Sequence, residues 1–305
     1  MRIVSLLPGT TEIISALGLE GSLIGRSHEC NQSGYIRSLP AITSPQIKSK
    51  GNSRNIHSEL QNLVKNGLSV FTVDGDALSK LNPDLILTQD HCEVCAASLE
   101  EVEKAVQAHC STDTSVISVS PESVEDIFES FLKIGTAVQA ETAAVKLVDD
   151  LKIRFDIISQ TINGATRKEI ITVEWLDPLM TGGNWIPELV NIAGAESILA
   201  EAGVHSPVIQ WEQILNADPE KLFIMPCGYT IDQTKKEMPR LVDKNGWNDL
   251  KAVKNSEVYL LDGDRFFNRP GPGIYDSARI LAEINHPALF KPLYKNDGWI
   301  RWTSA

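Results

Sequence analysis

The chain is expected to fold as α/β, with two Rossmann-like lobes whose sheets are mainly parallel, joined by one long helix. Three observations predict this. Short apolar runs alternate with helix-like stretches along most of the length. One pattern of strand, turn and helix occurs in both halves. A stretch from about 122 to 162, free of proline and broken by glycine only at Gly135, separates those halves.

The first half opens on the apolar run Ile3-Val4-Ser5-Leu6-Leu7, a buried strand, which turns at Pro8-Gly9-Thr10-Thr11 into a short helix stopped by Gly18. Past the middle, Glu169-Ile170-Ile171-Thr172-Val173 is again a strand, followed by a loop and the helical Pro187-Glu188-Leu189-Val190-Asn191-Ile192. A second pair agrees, Leu81-Asn82-Pro83-Asp84-Leu85-Ile86-Leu87 with Leu215-Asn216-Ala217-Asp218-Pro219 and the apolar residues after it. Further strands are predicted at 23–25, 70–73, 85–88 and 116–119. Segment 44–55, rich in Ser, Lys, Asn and Gly, is predicted as an exposed loop.

Ser120-Pro121 supplies a helix start, serine as cap and proline in the first turn. From Ala137 the apolar residues recur every three to four positions, predicting a strut of about 25 residues and ~37 Å. Asn163-Gly164 ends it. The division is therefore 1–136 for the first lobe, 137–163 for the connecting helix and 164–305 for the second lobe. That lobe includes a closing helix at 274–284 and a tail in which Trp299 and Trp302 pack back on the surface.

The 305 residues carry a net charge of −12, which argues against nucleic-acid and anionic-lipid surfaces. Hydrophobic content of 42% is that of a globular protein, and no apolar run reaches the ~18 residues of a membrane span. Met1-Arg2 leads straight into the first strand, so a cytoplasmic monomer is expected. Five cysteines, an odd number, fit a reducing compartment.

Two lobes imply a cleft, and in open α/β sheets ligands sit beyond the carboxyl ends of the strands. The residues after each predicted strand are chemically distinctive: Pro8-Gly9-Thr10, Ser27-His28-Glu29-Cys30, Asp90-His91-Cys92-Glu93-Val94-Cys95, Glu174-Trp175-Leu176-Asp177, Cys227-Gly228, and Asp264-Arg265-Phe266-Phe267-Asn268-Arg269. His28, Cys30, His91, Cys92 and Cys95 are ligand types that suit a thiophilic transition metal. Trp175, Trp185, Phe266 and Phe267 form a candidate apolar wall for a large planar ligand, against core packing as the plainer alternative. No nucleophile elbow, phosphate loop or dinucleotide glycine fingerprint is present, so no catalytic residue is assigned. Cys110 reads as a small core residue.

The framework elements Ile3 to Glu12, Leu81 to Leu85 and Trp211-Glu212-Gln213-Ile214-Leu215 resemble the helical-backbone periplasmic binding proteins of metal, siderophore, haem and cobalamin import. The Ser27 to Cys30, Thr88 to Ala96, Glu174 to Pro178 and Met225-Pro226-Cys227-Gly228 segments are similar to a cobalamin-binding subgroup lacking export signals. The resemblance implies a corrinoid clamped between the lobes by a carrier, sensor or solute-binding protein. Pro8, Gly9, Thr10, Glu29, Asp90, Glu174, Asp177, Cys227, Gly228 and Arg269 would meet its periphery, the four aromatics would cover its faces, and His28, His91 or Cys92 would ligate cobalt. It also implies docking to an ABC-type permease through one carboxylate per lobe, here Asp76 and Glu212. The alternative on this fold is a metal or metal-chelate binder, haem or siderophore, using the His/Cys loops. The alternative from another class is an enzyme using Cys92 or Glu174.

Overall fold

The computed structural model describes residues 1–31, 34–47, 52–66, 69–90 and 99–303. Four parallel strands form the first sheet: β1 (Ile3–Ser5), β2 (Leu23–Arg26), then β5 (Leu85–Gln89) and β6 (Ser115–Val119), in the order β2-β1-β5-β6. Between β2 and β5 lie β3 (Thr43–Pro45) and β4 (Phe71–Val73), which pair only with each other, antiparallel. The predicted strand at 70–73 is thus real but sits outside the main sheet. Segment 44–55 departs from its predicted loop, because its described residues include part of β3 and the start of the Ser53–Lys65 helix, capped by Asn52.

The second sheet holds β7 (Glu169–Leu176), β8 (Leu179–Thr181), β9 (Glu196–Ser197), β10 (Lys221–Ile224), β11 (Val258–Leu261) and β12 (Trp299–Arg301), ordered β12-β11-β10-β7-β8 with β9 also on β7. The tail therefore forms an antiparallel edge strand against β11, and Trp299 is buried there. Trp299 has a partner for both its backbone and its ring, which a surface-packed tail would lack.

The strands β1, β5, β10 and β11 are buried on both faces, and successive residues belong to different cores. Ile3, Leu85, Leu87, Ile170, Phe223, Tyr259 and Leu261 enter one large cluster; Val4 and Ile86 enter a second, and Ile171, Leu222, Ile224, Val258 and Leu260 a third. The large cluster runs through both lobes, around the Val124–Ala137, Glu141–Thr161 and Ile274–Asn285 helices. Ala144, Val148, Leu151, Phe155 and Ile158, spaced by three and four, are the buried stripe of the Glu141–Thr161 helix.

The connecting stretch departs from its predicted form. Helix Val124–Ala137 starts at a capping box of Ser123 and Asp126, three residues beyond Ser120, and the chain turns at Gln139, whose φ is +58°, before the 21-residue Glu141–Thr161 helix. Gly135 explains the corner. A Cβ there would lie 2.4 Å from the Ala144 methyl, so glycine lets the two helices meet.

The internal repeat is visible in the backbone. Helices Gly75–Leu81 and Trp211–Ala217 have seven residues each and end at Asn82 and Asp218 in the left-handed region, φ +40° and +44°. Each is followed by proline and then a central strand. Short polar side chains tolerate that conformation, and proline stops the helix.

Candidate functional site

The loops beyond the carboxyl ends of the two sheets face each other, since residues from each touch across the boundary. A Cβ on Gly9 would lie 2.7 Å from the Pro270 carbonyl oxygen, so the first helix of one lobe abuts the 262–272 loop of the other. Arg269, almost buried, sits 3.6 Å from Glu12 of the first lobe and 3.3 Å from Asp264 of its own. Its guanidinium is thus engaged by protein carboxylates at the lobe boundary. A second crossing lies at Asp177, where Arg54 pairs at 2.7 Å and Arg240 at 3.0 Å.

On the first lobe, His28 is half-buried and its Nδ1 lies 2.8 Å from Thr43 Oγ1. The Thr43 hydroxyl also lies 3.2 Å from Ser27 Oγ, so the partner it donates to sets the tautomer of the ring. Burial, and then Arg26, lower the His28 pKa, which keeps the ring neutral at pH 7. Phe71 backs the ring, with centroids 5.3 Å apart. Glu29 is solvent-accessible yet crowded by protein. Crowding pushes its carboxyl up to about 7, opposed by Arg269 and reinforced by Asp264, both from the other lobe. Asp90 is exposed at the end of β5.

On the second lobe, Trp175 is half-buried and meets Tyr229 edge to face at 5.5 Å, its indole N–H donating to the Asp177 carbonyl at 3.2 Å. The Tyr229 hydroxyl is buried without a hydrogen-bond partner among the described residues. Glu174 and Cys227 are half-buried and joined through the backbone, Cys227 N–H to Glu174 O at 3.0 Å; Gly228 takes φ +71°.

Several predicted site residues lie elsewhere. Trp185, Phe266 and Phe267 are buried in the shared core, and the Trp185 indole donates to the Phe267 carbonyl at 2.9 Å, so these rings have no face left for a ligand. Pro8 and Thr10 are buried too. The Thr10 hydroxyl is used on Ser5 at 2.7 Å and Leu7 O at 3.0 Å. Cys30 points into the first-lobe core beside Thr11, 3.0 Å away, and burial pushes its thiol up to about 11, far from the thiolate a metal needs. His91, Cys92 and Cys95 lie outside the described residues. Among the described residues no group of three or more His, Cys, Asp and Glu could hold a metal ion.

Sequence reading passed over Tyr229, although its place beside Cys227-Gly228 after β10 was a usable signal. Ser53, Arg54, Glu237 and Arg240 gave none, because Ser53–Glu237 and Arg54–Asp177 span 184 and 123 residues and Arg240–Asp177 spans 63. Asp76 and Glu212 are exposed, each the second residue of one of the two repeated helices.

A Bacillus subtilis protein described as an uncharacterized ABC transporter substrate-binding lipoprotein, YvrC, is 26% identical over 95% of this chain and 81% of its own. A vitamin B12-binding protein of Vibrio parahaemolyticus is 22% identical over 89% of this chain and 84% of its own. The crystal structure of Staphylococcus aureus IsdE complexed with heme superposes with a TM-score of 0.70 at 17% identity, covering 93% of this chain and 98% of that one. The expected cytoplasmic location finds no support among these relatives. Residues 3–265 match the periplasmic binding protein model, and with two α/β lobes carried on a helical backbone the chain belongs to that family.

Proposed function

We propose that this protein is an extracytoplasmic solute-binding subunit that takes a cobalamin-type corrinoid into the interlobe cleft and presents it to an ABC-type permease. The feature that carries the ligand class is the different chemistry each lobe offers at its strand ends. The half-buried Trp175, backed by Tyr229, offers an aromatic surface on one lobe. Neutral His28, held at Nδ1 by Thr43, and the acidic Glu29 stand on the other. A metal-centred planar macrocycle bearing amide and acid groups suits such a lining. Full-length similarity to a vitamin B12-binding protein supports the corrinoid. Similarity to a haem-bound structure supports haem as the second reading, with the same His28 and Trp175 in use. Binding rather than catalysis fits the substrate-binding relatives. Delivery would use the exposed Asp76 and Glu212 as matched docking carboxylates, one on each lobe.

Calorimetric and absorption titrations with cyanocobalamin, hydroxocobalamin and haemin test this. Micromolar or tighter corrinoid binding is expected, weakened about tenfold by Trp175→Ala and unaffected by Asp76→Ala or Glu212→Ala. His28→Ala should abolish any shift of the hydroxocobalamin spectrum. Tight haemin binding without corrinoid binding would transfer the assignment to haem; binding of neither would overturn both.

A further inference from the structure

The Ser53–Lys65 helix belongs to the first lobe, but its first turn is bonded to the second. The Ser53 backbone N–H and hydroxyl both donate to one Glu237 oxygen, at 3.0 and 2.6 Å, and Ser53 is fully buried. Arg54 Nε pairs with Asp177 at 2.7 Å. Arg240 ties the acceptors together, at 2.8 Å from Glu237 and 3.0 Å from Asp177. Glu237 is itself buried. An unpaired buried carboxylate is strongly disfavoured, so this group holds its geometry only while Ser53 and Arg240 are both in place. A carboxylate at a helix N-terminus is also favoured by the orphan N–H groups and the helix dipole.

The acceptors adjoin the aromatic side of the cleft. Asp177 follows Trp175 by two residues and accepts its indole N–H through the backbone. Glu237 and Arg240 are close enough to the Tyr229 hydroxyl to act on its ionisation. We propose that the first turn of the Ser53–Lys65 helix is a clasp, which holds the two lobes closed beside the Trp175–Tyr229 wall and retards escape of whatever occupies the cleft. Its effect on escape rests on the cleft being the binding site, as argued above; the clasp itself does not.

Two variants and two readouts test it. Glu237→Ala removes the buried acceptor, and Arg54→Ala removes a largely exposed cation whose loss does not threaten folding. Hydrogen exchange of the helix start in ligand-free protein should accelerate about tenfold or more in Glu237→Ala and a few-fold in Arg54→Ala, with the Gly75–Leu81 helix unchanged as control. Dissociation of cyanocobalamin or haemin, whichever binds, should accelerate in the same order while association stays nearly constant. Unchanged exchange in both variants would overturn the clasp. Faster exchange with unchanged dissociation would overturn its role in retention. If neither compound binds the native chain, the functional reading fails, and the exchange measurement decides the clasp by itself.

Discussion

Folding raises the Glu29 carboxyl from an ordinary 4.5 to about 7, chiefly through crowding by the protein around it. Between those values the unfolded chain releases a proton that the folded protein keeps, so Glu29 lowers stability as pH rises through that window. Glu29→Gln, neutral throughout, should therefore lose less stability than the native chain between about pH 5 and pH 7.5, read as the shift in denaturant midpoint. Equal pH dependence in the two proteins would refute the assignment. At this scale the sequence was legible where chemistry is local. His28 and Glu29 follow β2 and Cys227 follows β10, as read, whereas β7 runs on past Val173 and holds Trp175 as its penultimate residue. It was illegible for Cys30, whose neighbours in sequence share the site while its own thiol turns inward to Thr11.

The Val124–Ala137 helix shows what a single element owes to its ends. Ser123 Oγ accepts from the Asp126 N–H at 3.1 Å, and the Asp126 carboxylate accepts from the Ser123 N–H at 2.8 Å. Ser123→Ala should cost about 1 kcal/mol, measured as a lower midpoint in urea at unchanged slope. The loss should be felt by the whole protein, because Ile127, Phe128, Phe131 and Ile134 of this helix are core residues. Helix interiors were readable from apolar spacing alone. The corner at residues 138–140 was not, since no proline or glycine marks it. Contact between Gly135 and Ala144 turns the chain there, and that contact exists only once both helices are packed.

The lobes share one core, which runs from Ile3 and Leu7 through Phe131 and Leu151 to Phe223, Tyr259 and Leu281. Such a core resists independent melting of either lobe, so calorimetry should record one cooperative transition. Phe131→Ala, at the centre of it and fully buried, should lower stability by about 3–5 kcal/mol and move that single transition as a unit. Two resolved transitions would show that the lobes fold separately. The same continuity predicts only small domain closure, which scattering with and without ligand would check, and Gly9–Pro270, Glu12–Arg269 and Ser53–Glu237 are the contacts at the boundary.

Alternating strand and helix patterns, the doubled helix–proline–strand unit and the strand-end positions of the polar loops followed from the sequence by itself, because each rests on neighbours within a few residues. Which aromatic rings line the cleft was decided by tertiary structure. Hydropathy is the same for a ring in a core and a ring awaiting a planar ligand, and only packing buried Trp185, Phe266 and Phe267 while leaving Trp175 half-open. The charges that close the lobes were likewise decided by packing, since Arg54 and Asp177 lie 123 residues apart and meet only when both sheets are in place.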